Sequence, residues 1–288
     1  MRFIISVIVL FLAILFIFDY FVQFRMSDKE LHSFFKKHNV PAQVRYYQTG
    51  GRTIRYAAIG NDSLPVLLFI HGAPSSLSIY RDYYKDSLFL KTFRMYAVDR
   101  PGYGYSGLGK PEPSIKKQAA MIRPILDSLN QAKKPVIVMG GSYGTSIACR
   151  LAMDYPHLVN GLVLVAPSLQ PGAEQTFWFT YMIEHPALNW FIPRMLQSAN
   201  AEKVHHRRQL EAMLPYWKNI RVPVAYIQGD KDKLIDTANA GFARRQLVNA
   251  PYLDIRFLKN EPHFIAFTAR PVVRQKILHV LQLAKNLH

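Results

Sequence analysis

A chain of 288 residues, half of them hydrophobic, can bury a large core, which excludes a disordered polymer and makes one folded domain with insertions the default. Its formal net charge of +17 is scattered in short pairs such as Lys36-Lys37, Lys133-Lys134, Arg207-Arg208 and Arg244-Arg245. That pattern speaks against nucleic acid, which wants a basic stripe, and for a general attraction to anionic membrane surfaces. The single cysteine, Cys149, excludes an internal disulfide framework and reads as a small core residue.

The first element is RFIISVIVLFLAILFIFDYFVQFR, in which Ser6 is the one polar residue between Phe3 and Phe18. Taken to Phe24 it adds Asp19 and Gln23 and reaches about 33 Å as a helix, enough for a hydrocarbon core of about 30 Å. Because it is apolar on every face, a buried core helix does not fit. A cleaved signal peptide is the competing reading, yet DYFVQFRM offers no small-x-small site. The expectation is an uncleaved single-pass anchor, with residues 3–24 in the membrane and 1–25 as its unit. Arg25, Lys29, Lys36 and Lys37 follow the span while Arg2 precedes it, so the charge rule leans toward a cytoplasmic domain. A lone N-terminal span also translocates large domains, which leaves the side open.

Residues 26–43 open with MSDKELHSFFKKHNV, whose Ser or Asp cap and helical spacing predict a membrane-proximal helix or linker. From residue 44 strand-like runs recur: TIRYAAIG, PVLLFIHG, FRMYAVD, PVIVMGG, GLVLVAP, VPVAYIQGD and YLDIRFL. Several are continuously apolar, as in strands covered on both faces. Helical patterns over 115–130, 145–155, 237–248 and 271–287 alternate with them, which predicts an α/β domain with a mostly parallel sheet over 44–288. Residues 169–219 break the alternation. They carry FWFTYMIEHPALNWFIPRML and AEKVHHRRQLEAMLPYW, too long for a loop, and predict a helical cap.

In VIVMGGSYGTSIACRLA a lone serine stands between glycines where a buried strand gives way to a helix. Gly140-Gly141-Ser142-Tyr143-Gly144 has the G-x-S-x-G spacing of a nucleophile elbow, a turn too sharp for side chains on either flank. The plain alternative is a glycine-rich turn of structural use only. Together with HGAP (His71 to Pro74) and DRPGYGYS (Asp99 to Ser106), each behind a strand, the elbow makes residues 44–286 resemble the α/β-hydrolase superfamily. The resemblance implies that Ser142 is the nucleophile and that the N–H groups of Tyr143 and Ala73 form the oxyanion hole. It gives His71 and the Asp99 turn structural roles.

A serine hydroxyl needs a base at neutral pH. The family order, serine then acid then histidine, points to His263 in FLKNEPHFI, although Pro262 stands where the family more often has glycine. A surface loop histidine is the alternative. For the acid, QGDKDKLID offers Asp230, Asp232 and Asp236. The family places it three residues after the glycine, which favours Asp232 over Asp230 and leaves Asp236 to cap the next helix. His205-His206 lack metal-ligand spacing, so no metal is expected, and the chemistry needs no cofactor.

The resulting expectation is a serine hydrolase that cleaves an ester through a Ser142-His263-Asp232 triad and an acyl-enzyme. The serine nucleophile sets the chain apart from the dehalogenase and epoxide hydrolase branches. Phe177, Trp178, Phe179, Tyr181, Met182, Trp190, Phe191 and Met195 in the cap imply a small-molecule substrate with an apolar acyl or alcohol part, unless they merely bury the cap. GGSYG also resembles the elbow of proline iminopeptidase relatives, whose caps hold an amine with carboxylates. Here Glu174, Glu184, Glu202 and Glu211 are the candidates. A membrane-tethered, non-catalytic binding module is the rival from another class.

Overall fold

The computed structural model describes residues 2–130, 134–173, 179–183 and 185–287. Helix α1 (Arg2–Phe21) leads to α2 (Asp28–Lys37), which opens on a capping box: Ser27 accepts from the Glu30 N–H, and the Glu30 carboxylate accepts from the Ser27 N–H. The central sheet then forms from β1 (Ala42–Thr49), β2 (Arg52–Ile59), β3 (Val66–Ile70) and, after short helices α3 (Arg81–Tyr84) and α4 (Ser87–Thr92), β4 (Arg94–Val98). Helix α5 (Ile115–Asn130), β5 (Val136–Gly141), α6 (Gly144–Asp154) and β6 (Gly161–Val165) follow. Between β6 and β7 (Val224–Gly229) the described elements are helical: α7 (Phe179–Ile183), α8 (Pro186–Asn189), α9 (Arg194–Glu211) and a 3-10 turn, Leu214–Asn219. The chain ends through α10 (Ala238–Gln246), β8 (Leu253–Leu258), α11 (Ile265–Thr268) and α12 (Arg270–Asn286).

The eight strands lie in the order β1-β2-β4-β3-β5-β6-β7-β8. β1 and β2 are antiparallel to their neighbours, and every pairing from β4 through β8 is parallel. Strands β3 to β7 are buried along their whole length because helices cover both faces. Side chains alternate across β5: Val138 joins the core under α5 and α6, while Ile137 and Met139 join the core under α12. Helix α6 is buried from Gly144 to Met153, Cys149 included, with α5 beside it and the 3-10 turn packed on it.

One strand and one helix end depart furthest from what the sequence predicts. β1 lies where no strand was expected, because AQVRYYQT is an edge strand with polar residues on its open face. The N-terminal helix stops at Phe21, not Phe24. Asp19 in its last turn is drawn to the domain, accepting from the Arg194 guanidinium and backbone N–H at 2.7 Å each. Gln23 donates back to Asp19 at 3.0 Å, so the polar pair ends the helix against the protein.

Candidate active site

Parallel strands bring the site together at their carboxyl ends, where an open α/β sheet leaves room for ligands. Ser142 follows β5 directly and holds φ at +50°, a left-handed conformation costing about 1–3 kcal/mol for a residue with a side chain. Gly140 makes that turn possible: a Cβ there would meet the backbone of Gly144 and Thr145 at 2.6 and 2.7 Å. Asp232 follows β7 and His263 follows β8. These two loops touch through their backbones, with the Lys231 N–H donating to Glu261 O at 3.0 Å. A Cβ on Gly229 would lie 2.1 Å from that same carbonyl, so glycine at the end of β7 is what lets the loops meet.

The side chains form a chain of hydrogen bonds. His263 Nε2 is 3.1 Å from Ser142 Oγ, and His263 Nδ1 is 2.8 Å from Asp232 Oδ2. The other oxygen of Asp232 accepts the N–H groups of Leu234 and Ile235 at 2.9 and 3.0 Å, which fixes the carboxylate's orientation. Burial pushes this carboxyl up, but the bonds from His263, Ile235 and Leu234 outweigh it and leave it below its ordinary value. It is therefore ionised at neutral pH. Asp230 is exposed, and Asp236 accepts the Ala238 N–H at 2.7 Å at the start of α10.

Two clefts of about 430 Å³ each meet at Ser142 and His263. One is lined by Phe24, Ile79, Tyr80, Val165, Phe264 and Phe267. The other reaches under the helices between β6 and β7 and has Thr180, Ile192, Asn200, Lys203 and His206 in its wall. Ala73 borders both, and Tyr143, at the N-terminus of α6, borders the second. Larger hollows beside Arg221 and beside the end of α1 contain neither Ser142 nor His263, and Phe24 stands between the second of them and the cleft at Ser142.

The remaining candidates have other partners. His71 is fully buried: its Nδ1 faces Gly72 O at 2.7 Å, and its Nε2 accepts the Arg100 N–H at 3.0 Å. Asp99, also buried, accepts the N–H groups of Leu77 and Tyr105 and faces Arg55. His206 Nε2 lies 3.3 Å from Ser146 Oγ and its ring packs 4.5 Å from Tyr143, while His205 bonds its own helix at Ala201. Among the described residues no group of His, Cys, Asp or Glu has the arrangement of a metal site. Glu202 is 1% exposed and holds Arg100, with Tyr103 Oη donating to it at 2.6 Å and Gln118 Nε2 at 2.6 Å. Glu211 pairs with Arg207 on the surface. Of the apolar residues expected to line the cap, Tyr181, Met182 and Trp190 are exposed, Phe191 packs at a tilt against Trp190 and Met195 is buried. Glu174, Phe177, Trp178 and Glu184 lie outside the described residues, as does the Phe179 side chain.

Comparison with known proteins agrees with this architecture. Residues 65–193 match the alpha/beta hydrolase fold family. Over 150 residues the chain is 31% identical to epoxide hydrolase 4 of Mus musculus, a match that takes in 50% of this chain and 38% of that protein. The chain thus spans well under half the length of the curated relatives it matches. Among solved structures, a candidate lipase from Acinetobacter baumannii superposes with a TM-score of 0.68 at 21% identity, over 89% of this chain and 96% of that one. A membrane phospholipase A, described as a bacterial virulence factor, superposes with a TM-score of 0.65 at 16% identity over 98% and 99%. The chain is an α/β-hydrolase-fold protein, and its sequence and structural neighbours are hydrolases.

Proposed function

We propose that the protein is a membrane-anchored serine hydrolase that cleaves carboxylic esters. The observation that carries this reading is the unbroken Ser142–His263–Asp232 hydrogen-bond chain at the junction of two clefts. Ser142 Oγ attacks the ester carbonyl as His263 Nε2 takes its proton, and Asp232 keeps the proton on Nδ1 and stabilises the imidazolium. The developing oxyanion is received by the N–H groups of Ala73 and Tyr143, of which one donor is worth about 3 kcal/mol. His263 then protonates the leaving alcohol, and water enters by the same route to release the acid. One cleft takes the acyl part and the other the alcohol, with no cofactor in the cycle.

Two rivals use the same site. Amide cleavage with an amine held by the cap would need a carboxylate facing the substrate, and Glu202 is already committed to Arg100, Tyr103 and Gln118. Epoxide opening, the activity named for the curated relatives, requires attack on a saturated carbon. A serine would then leave an ether that water does not hydrolyse, whereas a carboxylate leaves a hydrolysable ester. A panel of esters, aminoacyl amides and epoxides tests the choice. Turnover is expected on esters alone, and preferential turnover of an amide or epoxide contradicts it. Attachment through the N-terminal helix is supported by the 19-residue, predominantly apolar stretch Phe3–Phe21, which is long enough to cross a membrane.

A further inference from the structure

Residues 22–26 join the N-terminal helix to α2 and are tied into the hydrolase domain. Arg25 Nη1 donates to Gly104 O at 2.6 Å, and its guanidinium lies 4.2 Å over the Tyr105 ring. Buried Arg55 donates to Met26 O at 3.0 Å, and Ser76 Oγ donates to Phe24 O at 2.8 Å. Within this segment Phe24 holds φ at +43°. Glycine adopts that conformation freely, whereas a bulky aromatic does so only under strain. Strain kept beside a reacting centre marks a side chain whose position matters.

Phe24 lines the cleft that contains Ser142 and His263, and also borders the hollow at the end of α1. It is 55% exposed, and Ile79, Leu234, Phe264 and Phe267 around the same cleft are 38, 53, 58 and 41% exposed. An apolar cleft with an apolar, solvent-facing rim is built to hold an apolar ligand. The opposite cleft, with Thr180, Asn200 and Lys203, has the more polar wall.

We infer that Phe24 is a specificity-determining wall of the acyl pocket and that the substrates are long-chain acyl esters of amphiphiles. The chain lies along Phe24, Ile79 and Phe267, beside the foot of the N-terminal helix, and the alcohol part occupies the opposite cleft. This inference rests on the ester hydrolase reading above. Each methylene buried against the wall raises kcat/KM by up to about fourfold until the pocket is full.

The test is a chain-length series of p-nitrophenyl esters, butanoate to dodecanoate, with the full-length protein in detergent micelles. Wild type is expected to prefer decanoate or dodecanoate to butanoate. Phe24→Gly keeps the left-handed backbone and relieves its strain, so the decanoate-to-butanoate ratio of kcat/KM should fall about tenfold, the worth of one to two methylenes, with no drop in Tm. Phe24→Asn, also tolerant of this φ, serves if the glycine variant does not fold. An unchanged ratio in the folded variant overturns the inference, as does a wild type that prefers butanoate. A folded wild type that hydrolyses no ester of any length overturns the ester reading itself, and this inference with it.

Discussion

In the proposed mechanism Ser142 and Asp232 do different work for the same imidazole, and substitution separates them. Ser142→Ala keeps a small side chain at a strained φ and removes the attacking oxygen. The proposed esterase activity should fall by about 10³-fold or more, leaving at most the contribution of binding and the proposed oxyanion hole, while circular dichroism stays that of wild type. Asp232→Asn loses the acceptor that sets the His263 tautomer, and kcat should drop by up to about 10⁴-fold. Asp230→Asn, two residues away and exposed, should change kcat less than about twofold, as surface substitutions do. The reverse order in equally folded proteins would move the acid to Asp230. At this scale the sequence was informative because the elbow, the HGAP loop and the loop after β7 are local patterns. It did not reveal Phe24, whose place in the cleft depends on contacts from Ser76 and Arg25 to distant parts of the chain.

At the scale of elements, α9 is fastened to the loop after β4 by Glu202 and Arg100, both fully or almost fully buried. No short-range signal in the sequence could pair residues a hundred positions apart, and the sequence alone kept Glu202 open as an amine ligand. Glu202→Ala leaves a buried guanidinium without its counter-charge and should cost about 3–5 kcal/mol in urea unfolding. A cost under about 1 kcal/mol would mean that the pair is not what holds the cap helix down. The neighbouring His71 makes a pH prediction. Burial and the Arg100 charge hold its pKa well below the ordinary value, so it stays neutral in the folded protein. Its contribution to stability is complete above about pH 6.5, the unfolded value. As pH falls from there toward the native pKa, the unfolded chain takes up the proton first and stability is lost at about 1.4 kcal/mol per pH unit. His71→Gln should flatten that slope between about pH 6.5 and 5. An equal slope in the variant would assign the acid sensitivity to other groups.

For the whole molecule, the alternation of apolar strands and helical runs made the parallel sheet legible. Strands buried on both faces cannot hide their composition. β1 escaped notice because an edge strand facing solvent looks like a linker. The helix end at Phe21 escaped because it depends on Asp19 meeting Arg194, which lies 175 residues later. That docking also bears on membrane attachment, since the segment that signal cleavage would remove is bonded to the folded domain. The protein should stay with membranes through carbonate extraction and high salt, and its mature N-terminus should precede residue 20. Recovery in the soluble fraction with a start beyond that point would contradict the anchor. Release by salt alone would reduce attachment to the +17 charge.

The central claim is that Ser142 is a nucleophile activated by His263. Its most direct measurement is reaction of the full-length protein with a fluorophosphonate, read by intact mass and peptide mapping. The account predicts one phosphonyl adduct, located on Ser142 and lost in Ser142→Ala, with labelling slowed severely in His263→Ala. A folded wild-type protein that takes up no label, or carries it on another residue, would contradict the account and favour a non-catalytic hydrolase-fold binding protein.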